Sequence, residues 1–124
     1  MLRDNLYKIK EINNANNTIE ALIQLIEDNE IFKGHFPDMP VLPGVCQVEI
    51  CKELLSHQLQ KHFVLKEAAS IKFLAFITPN EVKELNAKIN FTENAASCDV
   101  SASLYSGEKT FLKLQAKFTP DIQQ

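Results

Sequence analysis

The sequence lacks both a long apolar run and an excess of basic residues. No apolar stretch approaches the roughly 18 residues that a bilayer-spanning helix needs, so we expect no membrane span. The 13 lysines and arginines are outnumbered by 16 aspartates and glutamates, which gives a formal net charge of −3. This charge argues against a general nucleic-acid binder. The first residues, MLRDNLYKIKEIN, contain no apolar segment typical of a secretory signal, which favours a cytoplasmic location.

Cysteines are few, and none of them has a metal-binding spacing. The three cysteines, Cys46, Cys51 and Cys98, include no CxxC pair. An odd number of unpaired cysteines predicts reduced, buried thiols rather than disulfides. Ligand pairs at finger-like spacing are missing, and His57 and His62 fall on different helix faces, which argues against a metal site. The sequence therefore predicts neither a metal nor an organic cofactor.

The 124 residues have an ordinary globular balance, with 45% hydrophobic and 23% charged residues. We expect one domain over residues 1–124, since no linker or repeat divides the chain. Two strands, Leu6 to Ile12 and Thr18 to Ile26, flank an asparagine-rich turn and predict a hairpin. A stiff, proline-rich loop from Phe36 to Pro43 follows, and Val45 to Leu59 predicts a largely buried helix.

The second half of the chain predicts three or four strands of alternating polarity. The alternating apolar residues run from Ala69 to Ile77, from Leu85 to Phe91, from Val100 to Leu104 and from Leu112 to Phe118. One long helix against such an antiparallel sheet is an α+β arrangement. The predicted helix is apolar on more sides than one small sheet covers, so pairing of two copies is expected.

Three residues around the stiff loop supply the groups that an elimination reaction needs. His35 in the loop has a side chain that takes up protons near neutral pH. Glu49, fourteen positions later, lies in the second turn of the predicted helix, and Gly44 lies at its start, where free N–H groups can bind an oxyanion. Loss of water from a 3-hydroxyacyl thioester requires such a base, acid and oxyanion site.

Each of these residues also has a purely structural interpretation. A single loop histidine is more often structural than catalytic, and Gly44 could be required only for its size. Glu49 shares a helical stripe with Lys52, Glu53 and Ser56, so it could mark a solvated face with an ion pair to Lys52. The residues alone leave both interpretations open.

The segment GHFPDMPVLPGVCQVE, from Gly34 to Glu49, resembles the signature of the FabZ/FabA-type 3-hydroxyacyl-(acyl carrier protein) dehydratases. Their pattern is G-H-F-P-x-x-P-V-x-P-G-V with an acidic residue fourteen positions after the histidine, and every specified position matches here. The resemblance implies the hotdog fold, in which a curved antiparallel sheet wraps a long central helix. It is strong over Phe32 to Glu49 and fades outside, where Leu74 and Ala75 replace the expected arginine and its neighbour.

By position, the resemblance implies that His35 acts on the C2 proton and that Glu49 assists departure of the hydroxyl. The Gly44 N–H would hold the thioester carbonyl, and no cofactor would be needed. In this family the two catalytic residues of one site come from opposite subunits, so a homodimer or higher oligomer with shared sites is implied. The substrate would be a 3-hydroxyacyl group on acyl carrier protein, in fatty-acid or specialised lipid biosynthesis. Glutamate as the acid is typical of the branch that does not isomerise its product.

Two weaker sets of residues complete the expected site. Phe36, Phe73 and Phe76 are candidates for an acyl tunnel, although core packing explains such phenylalanines equally well. Lys33 and Lys72 are candidates for contact with the acidic carrier protein, although surface lysines are usually only solvated. The alternatives to a dehydratase are a hotdog acyl thioesterase and a non-catalytic hotdog partner subunit.

Overall fold

The computed structural model describes residues 1–34 and 40–121 of the chain. Its elements, in chain order, are β1 (Tyr7–Ala15), β2 (Thr18–Leu25), α1 (Ile31–Gly34), α2 (Gly44–Leu59), β3 (Phe63–Phe73), β4 (Glu84–Glu93), β5 (Cys98–Ser106) and β6 (Lys109–Pro120). The strands form one six-stranded sheet in the order β1-β2-β4-β5-β6-β3, and every neighbouring pair is antiparallel. Helix α2 packs against this sheet. The predicted α+β class, with the helix and sheet of the hotdog fold, is confirmed.

The hairpin of β1 and β2 forms where the asparagines predict it. Ala15 pairs with Thr18, so the connection is a two-residue turn of Asn16 and Asn17. Both asparagines have positive φ, of 53° and 58°. Two consecutive residues in this conformation give the turn whose twist matches a β-hairpin, and asparagine tolerates it better than most residues do.

The core lies between α2 and the inner face of the sheet. The alternating residues Leu85, Ala87 and Ile89 of β4 are all buried, as are Val100, Ala102 and Leu104 of β5. On β6, Leu112, Leu114, Ala116 and Phe118 are buried while Lys113 and Gln115 are exposed. The predicted alternation in these three strands is therefore confirmed. Burial of apolar side chains between the helix and the inner face of the sheet supplies most of the stability of such a domain.

The prediction of a strand over Ala69 to Ile77 is wrong in its bounds, because β3 begins at Phe63 and ends at Phe73. The Leu74 N–H still donates to the Phe111 carbonyl of β6 (2.8 Å), and the chain leaves the sheet after this residue. The Ile77 carbonyl then accepts a hydrogen bond of 2.8 Å from the Leu42 N–H, just before α2. Strand β3 lies at the edge of the sheet and is almost entirely exposed in the protomer. Alternation in an edge strand of this kind does not indicate a buried face.

Glu53 on α2 is buried, with only 5% of its surface exposed, so it does not belong to the solvated stripe predicted for this helix. Its carboxylate accepts hydrogen bonds from the backbone N–H groups of Leu2 (2.8 Å) and Arg3 (2.9 Å) and from the hydroxyl of Tyr7 (2.9 Å). The start of the chain therefore covers this part of α2. Burial, together with the charge and hydrogen bond of Glu53, raises the pKa of the Tyr7 hydroxyl far above its usual value.

The three cysteines are free and buried, as predicted. Burial raises the pKa of the Cys51 thiol to about 12 and that of the Cys98 thiol to about 11, and it also raises the pKa of Cys46. Thiols with such pKa values stay protonated and unreactive near neutral pH. No helix within residues 1–34 and 40–121 is long and apolar enough to cross a bilayer.

Candidate active site

Helix α2 begins at Gly44, directly after Pro43. Pro43 occupies the N-cap with extended backbone angles, φ −60° and ψ 147°, and its carbonyl accepts the N–H groups of Cys46 (3.0 Å) and Gln47 (3.1 Å). The preceding N–H groups, of Gly44 and Val45, come before the first helical hydrogen bonds. The positive end of the helix dipole lies at the same point. This end of α2 therefore has the groups that hold a developing oxyanion.

Gly44 is in close contact with the ring of Phe73 at the end of β3. A Cβ atom added at Gly44 would lie 2.5 Å from Cζ of Phe73 and 2.9 Å from its Cε1. Real Cβ atoms essentially never approach another heavy atom so closely. A side chain at position 44 would therefore require the Phe73 ring to move, and with glycine the ring lies directly beside the start of the helix.

Two cavities meet at this contact, and both are lined by Gly44 and Phe73. One cavity, of about 390 Å³, extends between α2 and β3 and also includes Glu49, Lys52 and Leu65 among its walls. The other, of about 320 Å³, extends toward the segment before α2 and includes Gln47 and Phe76. We call them the Glu49 cavity and the Gln47 cavity. A carbonyl group bound at Gly44 would have one cavity on each side.

Glu49 is half-buried and forms an ion pair with Lys52, at 2.8 Å between Oε2 and Nζ. The ion pair anticipated from their i,i+3 spacing is therefore present. A pair that is this accessible contributes little to stability, so it can open at small cost in free energy. In this structure the Glu49 carboxylate faces the ammonium group of Lys52.

Of the remaining predicted residues, the structure describes four: Lys33, Lys72, Phe73 and Phe76. His35 and Phe36 lie outside the described residues. Phe73 and Phe76 are both wall residues of the Gln47 cavity and are 52% and 70% exposed. Lys33 is exposed on α1, and Lys72 is exposed on β3, next to Phe73 in sequence.

The sequence did not reveal that Lys72 has a second lysine beside it. In the sheet register Lys72 lies directly opposite Lys113 of β6, and both are exposed. Like charges in directly opposite positions repel each other. Within residues 1–34 and 40–121 neither lysine has an ion pair. This lysine pair depends on strand register and left no signal in the sequence. In the same part of the chain, no group of three or more histidines, cysteines or acidic residues could hold a metal ion.

Comparison with known proteins identifies the family. Residues 11–110 match the ApeI-like family, described as ApeI dehydratase. The chain belongs to the ApeI-like dehydratase family. The matched range includes the start of α2, the walls of the Gln47 cavity and Lys72 of this ApeI-like chain, whereas Lys113 and the Glu49 cavity wall residue Phe118 lie beyond it.

Curated relatives of the ApeI-like chain carry the name 3-hydroxyacyl-(acyl-carrier-protein) dehydratase FabZ. The protein from Rhizorhabdus wittichii is 31% identical over 114 residues, which cover 84% of this chain and 70% of the relative. The protein from Clostridium acetobutylicum is 27% identical over 89 residues, which cover 66% of this chain and 63% of the relative. The chain thus spans less than two thirds of the length of the second relative.

Solved structures share the fold of the ApeI-like chain. The dehydratase heterocomplex ApeI:P from Xenorhabdus doucetiae contains a chain that is 22% identical, with a TM-score of 0.73 and coverage of 90% of this chain and 96% of that one. A hypothetical thioesterase protein with coenzyme A from Streptococcus pneumoniae is 13% identical, with a TM-score of 0.65 and coverage of 93% and 85%. At these identities the likeness concerns the fold alone.

Proposed function

We propose that the protein removes water from 3-hydroxyacyl thioesters on acyl carrier protein and forms trans-2-enoyl thioesters. The observation that carries this proposal is that Gly44 and Glu49 line the same cavity, whose other walls are mainly apolar. The thioester carbonyl binds at the Gly44 N–H, where the helix dipole stabilises the enolate that forms. Glu49 protonates the leaving hydroxyl at C3, and His35 removes the proton at C2. The names of the FabZ relatives support this substrate class.

A homodimer would complete the site. The outer edge of β3 is unpaired in the protomer, and apolar side chains are exposed on and next to it, including Ile71, Phe73 and Leu74, as well as Val45 on α2. Exposed edge strands and apolar patches are features that pairing with another chain covers. A second copy related by a two-fold axis can pair with β3 antiparallel, and we propose that each site combines Glu49 of one copy with His35 of the other. We also propose a cytoplasmic location, because free buried thiols suit a reducing compartment.

One assay tests the proposed reaction. The protein is incubated with 3-hydroxyacyl and trans-2-enoyl carrier-protein thioesters of several chain lengths, and loss or gain of water is followed by mass spectrometry. We expect interconversion of the two thioesters without release of free thiol. Thiol release would instead indicate a thioesterase. The absence of any interconversion by the folded protein would contradict catalysis by this chain alone and favour a non-catalytic subunit.

We propose that Lys72 and Lys113 contact the acidic carrier protein. Lys72 is next to Phe73 in sequence, Lys113 lies opposite Lys72, and neither lysine has an ion pair with another described residue. Lys72→Glu should lower kcat/KM for carrier-bound substrate by about tenfold at low salt, because opposite charges accelerate encounter. The same change creates an ion pair with Lys113 and should raise stability by about 0.5 kcal/mol.

The measurement compares carrier-bound substrate with the same acyl group on N-acetylcysteamine, which has no carrier to dock. Lys72→Glu should leave turnover of this small thioester unchanged. The matched control is Lys8→Glu on β1, an exposed lysine at the opposite edge of the sheet. An equal effect of Lys72→Glu on both substrates, or an equal effect of Lys8→Glu, would exclude docking at the lysine pair.

A further inference from the structure

Gln47 of α2 is buried, with 3% of its surface exposed, and only half of its amide is satisfied. Its Nε2 donates a hydrogen bond of 3.1 Å to the carbonyl of Leu42. Its Oε1 is buried and has no hydrogen-bond partner among the described residues. The orientation of the amide is fixed, because the Leu42 carbonyl can only accept and must therefore face the nitrogen. Buried polar atoms without partners are rare and unfavourable in native proteins.

The cavity beside Gln47 is otherwise apolar. Its other walls are Gly44 and the side chains of Val41, Leu42, Pro43, Phe73, Ala75 and Phe76. An apolar cavity with one unsatisfied acceptor in its wall suits an apolar ligand segment that carries a single N–H or O–H donor. The oxygen is covered in this structure, so a wall side chain must move for a donor to reach it, and Phe73 and Phe76 are the most exposed side chains of the cavity wall.

The position of Gln47 relative to Gly44 indicates which part of a thioester it would meet. The carbonyl carbon of a thioester has two substituents, the acyl chain and the sulfur of the carrier arm. Because Glu49 acts at C3 in the proposed reaction, the acyl chain lies in the Glu49 cavity and the arm lies on the other side of Gly44. The first amide N–H of the arm follows two methylenes after the sulfur, about 5 Å from the carbonyl carbon in an extended arm. Residues three apart on a helix, as Gly44 and Gln47 are, lie about 5–6 Å apart.

We propose that Oε1 of Gln47 accepts a hydrogen bond from the first amide N–H of the carrier arm, and that the Gln47 cavity is the binding site of this arm. The proposal rests on the proposed dehydratase function and assigns a substrate-binding residue to it. The hydrogen bond satisfies the buried oxygen, and it fixes the sulfur side of the thioester while Nε2 holds Leu42 in front of the helix. The Gln47 amide thereby connects arm recognition with the segment that precedes Gly44.

The test compares two small thioesters of the same 3-hydroxyacyl group. One carries N-acetylcysteamine, and the other carries 2-mercaptoethyl acetate, in which an ester oxygen replaces the N–H. The wild-type protein should prefer the amide arm by about tenfold or more in kcat/KM, since one hydrogen bond to a buried acceptor is at stake. Gln47→Met should reduce this ratio to near one. Gln58→Met, the same change at a half-buried position near the far end of α2, should leave the ratio unchanged.

The ratio separates recognition from damage to the fold, because a distorted site loses turnover of both thioesters equally. The proposal is wrong if the wild-type protein does not discriminate, or if Gln47→Met keeps the wild-type ratio. It is also wrong if Gln47→Met changes the preference of the protein between acyl chains with and without a terminal hydroxyl. Such a change would show that the Gln47 cavity holds the acyl chain.

A binding measurement distinguishes failure of this proposal from failure of the proposed function. Saturated butanoyl thioesters of the same two arms lack the 3-hydroxyl group and need no catalysis, and their dissociation constants can be measured by NMR titration. The same tenfold preference and its loss in Gln47→Met are expected. A preference for the amide arm in binding, without any turnover, would support arm recognition by Gln47 and contradict the proposed dehydratase function. Turnover without a preference for the amide arm would support the dehydratase function and contradict arm recognition by Gln47.

Discussion

Glu49→Gln is expected to lower kcat for dehydration by about a hundredfold to ten-thousandfold, the usual contribution of a positioned general acid. Glutamine matches glutamate in size and keeps the wall of the Glu49 cavity, but it has no proton to give to the leaving hydroxyl. The folded state should change little, because the ion pair with Lys52 that is lost is partly exposed. The measurements are kcat with carrier-bound substrate and the melting temperature of each variant.

Two further variants make this expectation specific. Lys52→Met also breaks the ion pair but keeps the acid, so it should retain most of the activity, whereas a loss as large as that of Glu49→Gln would indicate that the pair itself is required.

His35→Ala should be inactive like Glu49→Gln. When the two inactive variants are mixed and exchange subunits, about one quarter of the sites should recover both residues, if each site spans two subunits. No recovery after demonstrated exchange would contradict the shared site.

Glu53→Ala is expected to destabilise the protein by about 3–5 kcal/mol, because it leaves the buried Tyr7 hydroxyl and two backbone N–H groups without their acceptor. For a domain of this size the loss corresponds to a decrease in melting temperature of roughly 10–20 °C. The control is Glu108→Ala, since Glu108 is exposed in the turn between β5 and β6. Denaturant unfolding at one fixed protein concentration measures both variants, because a dimer makes stability depend on concentration.

Tyr7→Phe removes the hydroxyl that donates to Glu53, and it also tests how the stability of the protein depends on pH. The pKa of Tyr7 is raised in the folded protein, by burial first and by Glu53 second. Its contribution to stability is therefore complete below pH about 10, where the unfolded tyrosine titrates, and is lost as the pH rises further. Wild-type stability should fall above this pH, and Tyr7→Phe should reduce the slope. In the Glu53→Ala background, Tyr7→Phe should cause no further loss and should recover part of the stability, because it removes the hydroxyl that lacks an acceptor. A fully additive loss would show that the hydroxyl does not depend on Glu53.

Much of the fold follows from local patterns. The alternation in β4, β5 and β6 identifies strands whose inner faces are buried, and the asparagines between β1 and β2 identify a tight turn. Strand β3 was harder to predict, because its apolar residues after Phe63 are exposed in the protomer. Alternation along a strand does not distinguish an exposed apolar surface from a buried one.

The site was only partly predictable for a similar reason. Glu49 and Gly44 were identified by their positions in the motif, and they do line one cavity. Glu53 and Gln47 are polar residues on the same helix whose environments depend on distant segments, namely the first residues of the chain and the loop before α2. The pairing of Lys72 with Lys113 likewise requires the register of two strands that are far apart in sequence. Such contacts arise from tertiary structure, and spacing along the chain does not encode them.

The close contact between Phe73 and Gly44 also constrains how this sequence can evolve. Phe73 is 52% exposed and lies outside the core, so a smaller residue there would enlarge the space beside Gly44 with little effect on folding. A side chain at position 44, by contrast, requires the ring to move from its present position. Descendants of this protein should therefore lose the aromatic ring at position 73 before they gain a side chain at position 44. New substrate ranges should arise through that order of substitutions.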